Sequence, residues 1–363
     1  MSFEFLRVAL SRQRRVCLRH DVTPYVFIFK GGFMPELRQN LATKEWVIIA
    51  TERAKRPEEF KSKKEMKALP PFNSNCVFCP GNENNTPGET FRIADDGGWK
   101  VRSFPNKYAA LSKEGERKRR IKGVERWLSG VGIHEVIAES PMHNMTTALL
   151  SADDVELVFK AYKNRYLDIS KDPRIELIII FKNHGESAGT SLEHPHSQLI
   201  ATPVVPAQIR NRLEDAMTYF DDTGECVYCK MIDEEIKAKE RIIFETDHFI
   251  SFVLYAALSP FHTWILPKRH TSSFGEITDE EVKDMAGMLK NVLAKFYYGL
   301  DNPDFNYVIR SAPTGGGASE YFHWYLSIIP RLTKNAGFEM GSGMFINISV
   351  PEENAKFLRG VKL

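Results

Sequence analysis

The residues best equipped for chemistry lie at His194-Pro195-His196-Ser197-Gln198, where two imidazoles and an amide recur at every second position. The apolar Leu199-Ile200-Ala201 that follows predicts a strand. On a strand alternate side chains leave one face, so His194, His196 and Gln198 would project together. A neutral imidazole held in this way can attack phosphorus and carry a nucleotidyl group covalently. Just upstream, Asn183-His184-Gly185-Glu186-Ser187-Ala188-Gly189 reads as a glycine-bearing loop whose backbone N–H groups approach a phosphate. The competing reading is a pair of ordinary core histidines. Two imidazoles, an amide and a glycine loop in one short stretch favour the reactive one.

Five cysteines accompany these groups: Cys17 and two C-x-x-C pairs, Cys76/Cys79 and Cys226/Cys229. In a chain with no export signal, paired cysteines of this spacing read as metal knuckles before disulfides. Thioredoxin-like redox chemistry is the competitor, but neither pair is expected to open a helix after a buried strand, as that motif would.

The elements that must position these groups follow from periodicity. Strands are expected at 45–50, 134–139 and 176–181. Ser151 caps a helix whose apolar face is Val155, Val158, Phe159, Tyr162, Tyr166 and Ile169. The plan then repeats. Strands are expected at 241–244, 249–254 and 262–267, and Thr278 with Glu281 forms a capping box at the head of a second helix. Further strands read at 305–310 and 323–327 flank a glycine loop, Thr314-Gly315-Gly316-Gly317. Two such halves predict a duplicated α+β unit, with an antiparallel sheet bent as a half-barrel and flanked by helices. The halves are set at 34–205, carrying the reactive residues, and 206–363. Residues 1–33 are an arginine-bearing appendage, disordered or a non-native start, with Met34 the more natural beginning.

Through the repeat, each half offers two cysteines and two histidines: Cys76, Cys79, His143 and His194, then Cys226, Cys229, His270 and His323. Cys₂His₂ is a closed tetrahedral zinc set that leaves no position for a substrate, so two structural Zn²⁺ sites per chain are expected. Where the first half has His196, the second has Tyr325, a far weaker nucleophile at neutral pH. One reactive centre per chain follows. Gln198 donates hydrogen bonds but cannot shuttle protons, which favours transfer to a phosphate acceptor over hydrolysis. The net charge of +2 gives no case for nucleic-acid binding, and no run of 18 apolar residues argues for a membrane span.

From Met34 to Leu363 the chain resembles the galactose-1-phosphate uridylyltransferase family of the histidine triad superfamily. The resemblance rests on Arg53-Ala54-Lys55-Arg56-Pro57, Cys76-x-x-Cys79, Asn183-x-Gly185, Ser191 and His194-Pro195-His196-Ser197-Gln198. It implies His196 as the nucleophile, with Gln198 and Ser191 as partners of the transferred phosphate. Arg53, Arg56, Asn183 and Gly185 would be substrate contacts, with zinc on the Cys₂His₂ sets. It also implies a cytoplasmic homodimer working by ping-pong between UDP-glucose and galactose 1-phosphate, a nucleotide sugar and a hexose 1-phosphate. In place of the family's Tyr-Glu-Met segment stands Phe338-Glu339-Met340. That departure and the second C-x-x-C resemble the plant-type branch, so ADP-glucose phosphorolysis is the alternative. A third reading, from another class, is a zinc-stabilised module docking nucleic acid through the basic residues 112–125.

Overall fold

Short runs of apolar and β-branched residues build ten of the strands into one sheet. The computed structural model describes residues 34–61 and 68–363. The expectations for residues 1–33, including Cys17, lie outside the described residues. Strands β1 (Glu36–Gln39) and β2 (Trp46–Ile49) pair antiparallel at the start. The β3 (Phe91–Asp95) and β4 (Gly98–Pro105) hairpin follows, then the exposed β5 (Arg119–Lys122) and β6 (Glu125–Leu128) hairpin, then β7 (Ile133–Ala138). Helix α1 (Ala152–Ile169) leads to β8 (Leu177–His184) and β9 (His196–Thr202). Helices α2 (Ala207–Thr223) and α3 (Val227–Ala238) cross to β10 (Ile242–Glu245), β11 (Phe249–Val253), β12 (Thr263–Pro267), α4 (Asp279–Gly299), β13 (Phe305–Arg310) and β14 (Tyr325–Pro330). The chain ends with α5 (Gly337–Ser342), β15 (Phe345–Asn347), which pairs parallel with β2, and α6 (Pro351–Gly360).

The main sheet runs β10-β11-β12-β14-β13-β8-β9-β7-β4-β3, antiparallel throughout and open at both ends. Read outward from the central β13–β8 pair, the two sides match strand for strand: β8 with β13, β9 with β14, β7 with β12, and the β3–β4 hairpin with β10–β11. The α+β duplication is therefore a property of the fold. Helices α1 and α4 pack together. Ser151 Oγ accepts from the Asp154 amide, and Thr278 with Glu281 closes the capping box. The predicted apolar face of α1 is buried, and so are Val282, Met285, Leu289, Val292 and Phe296 of α4. The basic stretch folds as an exposed hairpin in which Arg120 lies 5.4 Å over the Trp127 ring. No helix among the described residues is long and apolar enough to cross a membrane.

Two local expectations change. Strand β9 starts only at His196, so His194 lies just ahead of it. Cys226 caps α3, so the second C-x-x-C does open a helix, though it follows α2 and Gly224 rather than a buried strand.

Candidate active site

A cavity of about 600 Å³ opens beside the start of β9, lined by His196, Lys182, Asn183, Gly185, Ser191 and Glu193 among others. His196 is 7% exposed and packs edge-on against Phe78, ring centroids 5.4 Å apart. Its Nδ1 lies 2.8 Å from the His194 carbonyl oxygen. A carbonyl only accepts, so Nδ1 carries the proton and Nε2 carries the lone pair. Burial pushes this imidazole below its ordinary pKa. The hydrogen bond to His194 and the Glu139 carboxylate pull the other way without overcoming burial and the Lys182 ammonium. The ring is thus neutral near pH 7, with its nucleophilic nitrogen fixed by the tautomer.

Beneath β9 lies a buried polar cluster that sequence reading missed. Lys182, 2% exposed, pairs with Glu139, 1% exposed. Glu139 also accepts from Tyr162 at 3.1 Å, Tyr307 at 3.4 Å and Thr147 at 3.4 Å, and Lys182 reaches the His196 carbonyl at 3.5 Å. Burial disfavours the Glu139 charge, but the Lys182 ammonium and the hydrogen bonds outweigh it, so its pKa falls below the ordinary value. The sole local signal was a lysine closing an apolar strand sequence.

The glycine loop lines the cavity, with four of its amides already engaged. The N–H groups of Ala188, Gly189 and Thr190 donate to carbonyls within the loop, and that of Ser187 donates to Asp304. Gly185 adopts φ +83°, and a side chain there would run into the Asp304 carboxylate, so this position needs glycine. Asn183 accepts from Asn306 at 2.8 Å. Gln198 shares the face of His196, yet it is not in the cavity lining. Its Oε1 lies 2.8 Å from His134 Nε2, while His134 Nδ1 accepts from the Ala110 amide. His134 therefore donates to Gln198 and leaves the Gln198 NH₂ available. His134 was read only as a strand residue, although its alignment with His262 in the repeat was visible. Arg53 and Arg56 do not line the cavity, and Arg56 faces another cleft with Lys55 and Lys356.

Both cysteine–histidine sets converge. In each, two thiols and two imidazole nitrogens lie within 4.8 Å of one another. Cys79 Sγ is 3.6 Å from Nδ1 of both His143 and His194, and Cys229 Sγ is 3.2 and 3.7 Å from Nδ1 of His270 and His323. Nε2 of His194, His270 and His323 donates to the carbonyls of Ser140, Ser319 and Pro267, at 2.8, 2.7 and 2.9 Å. Those bonds put the protons on Nε2 and turn the Nδ1 lone pairs toward the thiols.

With this geometry in view, comparison with known proteins is decisive. The family model for the N-terminal domain of galactose-1-phosphate uridyl transferase matches residues 30–206, and that for its C-terminal domain matches residues 212–342. The chain belongs to this family. It is 40% identical over 334 residues to the ADP-glucose phosphorylase of Arabidopsis thaliana, covering 91% of this chain and 93% of that one. It is 31% identical over 336 residues to the galactose-1-phosphate uridylyltransferase of Thermotoga maritima, covering 90% and 98%. The crystal structure of an Arabidopsis thaliana ADP-glucose phosphorylase with bound ADP-glucose superposes with a TM-score of 0.77 at 36% identity, covering 91% of this chain and all of that one. As a member of this family the chain is a nucleotidyltransferase-type enzyme acting on a nucleotide sugar.

Proposed function

We propose that this chain is an ADP-glucose phosphorylase, working through a covalent adenylyl-His196. His196 Nε2 attacks the α-phosphorus of ADP-glucose. The P–N bond forms as the bond from that phosphorus to the bridging oxygen breaks, and glucose 1-phosphate leaves. An oxygen of inorganic phosphate then attacks the same phosphorus, ADP departs, and the imidazole is restored. The proton on Nδ1 stays hydrogen-bonded to the His194 carbonyl, which supports the ring as it gains positive charge. A phosphate oxygen that carries no proton needs no general base, so Gln198 suffices where a hydrolase would need a proton shuttle.

The observation carrying the covalent step is the buried His196, its tautomer fixed and its ring in the wall of a cavity large enough for a nucleotide sugar. What favours adenylyl over uridylyl transfer is the higher identity to the phosphorylase, 40% against 31%. Sequence reasoning had ranked UDP-glucose with galactose 1-phosphate first, and that pair stands as the second reading. Incubation with α-labelled ADP-glucose and UDP-glucose, followed by inorganic phosphate or galactose 1-phosphate, separates the two. Label from ADP-glucose, discharged by phosphate as ADP and absent in His196→Ala, is the expected result. Label from neither nucleotide, or label surviving in His196→Ala, would refute the covalent step.

Zinc is part of the proposal. A tetrahedral ion with Zn–S of about 2.3 Å and Zn–N of about 2.1 Å places S and N about 3.6 Å apart. That matches Cys79 with His143 and His194 and Cys229 with His323, while Cys229 and His270 lie closer at 3.2 Å. Cys76, Cys79, His143 and His194 would hold one ion and Cys226, Cys229, His270 and His323 the other, each bracing the sheet rather than meeting substrate. A homodimer belongs here too. The cavity wall of one chain holds Glu186, Glu193, Asp301 and Asp304 against Lys182, so a diphosphate requires cations from elsewhere. Arg53 and Arg56 of a second copy are the candidates.

A further inference from the structure

In the second half, a recess opens beside the residues that repeat His134 and Gln198, next to the duplicate of the reactive position. Tyr325 stands where His196 does, Ser327 where Gln198 does, and His262 bonds Ser327 at 2.9 Å as His134 bonds Gln198. Arg310 lies opposite Tyr325 on β13, the position that Asn183 holds on β8. The recess measures about 200 Å³. Its lining sets Arg212, Arg310 and Arg331 against a single carboxylate, Glu45.

The charges here are poorly met. Arg212 donates to the Tyr325 hydroxyl at 2.8 Å and approaches Glu45 only to 3.6 Å. Nε of Arg212, Nε of Arg310, Nδ1 of His262 and Oγ of Ser259 are all buried, and none has a hydrogen-bond partner among the described residues. Burial, with Arg212 and Arg310 beside it, pushes His262 down to about 3, so the ring in the lining of the recess is neutral. Two guanidinium groups desolvated side by side are costly unless an anion sits between them, and the guanidinium fork matches phosphate oxygens. The volume is below the roughly 300–1,000 Å³ of sites for larger ligands. We propose that this recess is a second anion-binding site, separate from the reactive cavity, which takes inorganic phosphate or the phosphoryl end of a small phosphate ester.

The test is equilibrium dialysis of the full-length protein against labelled inorganic phosphate, comparing wild type with Arg310→Met. The variant should lose one bound equivalent per chain, its affinity for that site falling roughly tenfold or more. In phosphate-free buffer it should melt no lower than wild type, since an unpaired buried cation has been removed, and His196 should still take up label. Equal phosphate binding by the two proteins would overturn the proposal. Competition with unlabelled glucose 1-phosphate then names the source: displacement from the Arg310-dependent site supports a phosphate ester, and no displacement supports free phosphate. If Arg310→Met does not fold, Arg310→Lys keeps the charge without the fork and should weaken the same site, unchanged binding again overturning it.

Discussion

Replacing Lys182 by Met should cost about 3 kcal/mol of stability, at the lower end of the range of about 3–5 for breaking a buried ion pair. The lower end applies because Glu139 keeps three hydroxyl donors, from Tyr162, Tyr307 and Thr147, when the ammonium is gone. For a chain of this size that is a fall in melting temperature of roughly 4 °C. Glu139 also gives the loss a definite pH dependence. In the wild type its folded pKa lies below the unfolded value, so its contribution is present at neutral pH and fades as pH falls through the folded pKa. In the variant the uncompensated carboxyl, fully enclosed, moves above the unfolded value, so it costs most at neutral pH and least in acid. The gap between the two proteins should therefore narrow from about pH 7 to about pH 5. Adding Glu139→Gln removes the orphaned charge and should recover all but about 1 kcal/mol. Denaturant melts at several pH values measure all three proteins. A Lys182→Met loss below about 1 kcal/mol, or a gap that widens in acid, would refute the idea that this pair holds the floor beneath His196.

Further outcomes follow from the same geometry. Gln198→His puts a proton carrier beside the adenylyl-histidine, so release of free nucleotide without acceptor should rise about 10²-fold, measured on isolated labelled enzyme. Gly185→Ala forces a left-handed backbone and a clash with Asp304, which should cost about 1–3 kcal/mol and lower kcat/KM, read from melts and kinetics. Metal analysis should find two zinc per chain, falling to one in Cys79→Ser and in Cys226→Ser. Labelling of His196 should suffer in Cys79→Ser, whose cluster includes His194, and persist in Cys226→Ser.

The strand of His196, the convergence of both cysteine–histidine sets and the duplication were legible because each rests on spacings that recur in the two halves. Helices α1 and α4 were legible because Ser151 and the Thr278–Glu281 pair announce their starts. Helix α2 was missed. It has no side-chain cap, although Ile209, Leu213, Ala216 and Phe220 carry the helical period. The Glu139–Lys182 pair joins residues 43 apart in sequence, a distance at which neither period nor spacing gives notice. The engagement of four amides in the glycine loop was invisible for a related reason. Their partners, including Asp304, are fixed by the turn and by the residue just ahead of a distant strand, neither visible in the local sequence.

On the proposed chemistry, more than the exchange of imidazole for phenol separates the second half from the first. Tyr325 is fully buried, its ring stacks on Trp264 with centroids 4.2 Å apart, and its hydroxyl accepts from Arg212. Arg212 belongs to α2, the helix that links the halves, so the connection itself closes off the duplicate position. In the first half β9 enters beside an open cavity, and nothing comparable stacks on His196 except Phe78 at its edge. Divergence after duplication thus acted on access as well as on chemistry. Putting His at 325 would bury an imidazole beside a guanidinium with no room for a nucleotide, so Tyr325→His alone should yield no second labelled site. A Tyr325→His/His196→Ala protein that took up label would show that chemistry alone separates the halves.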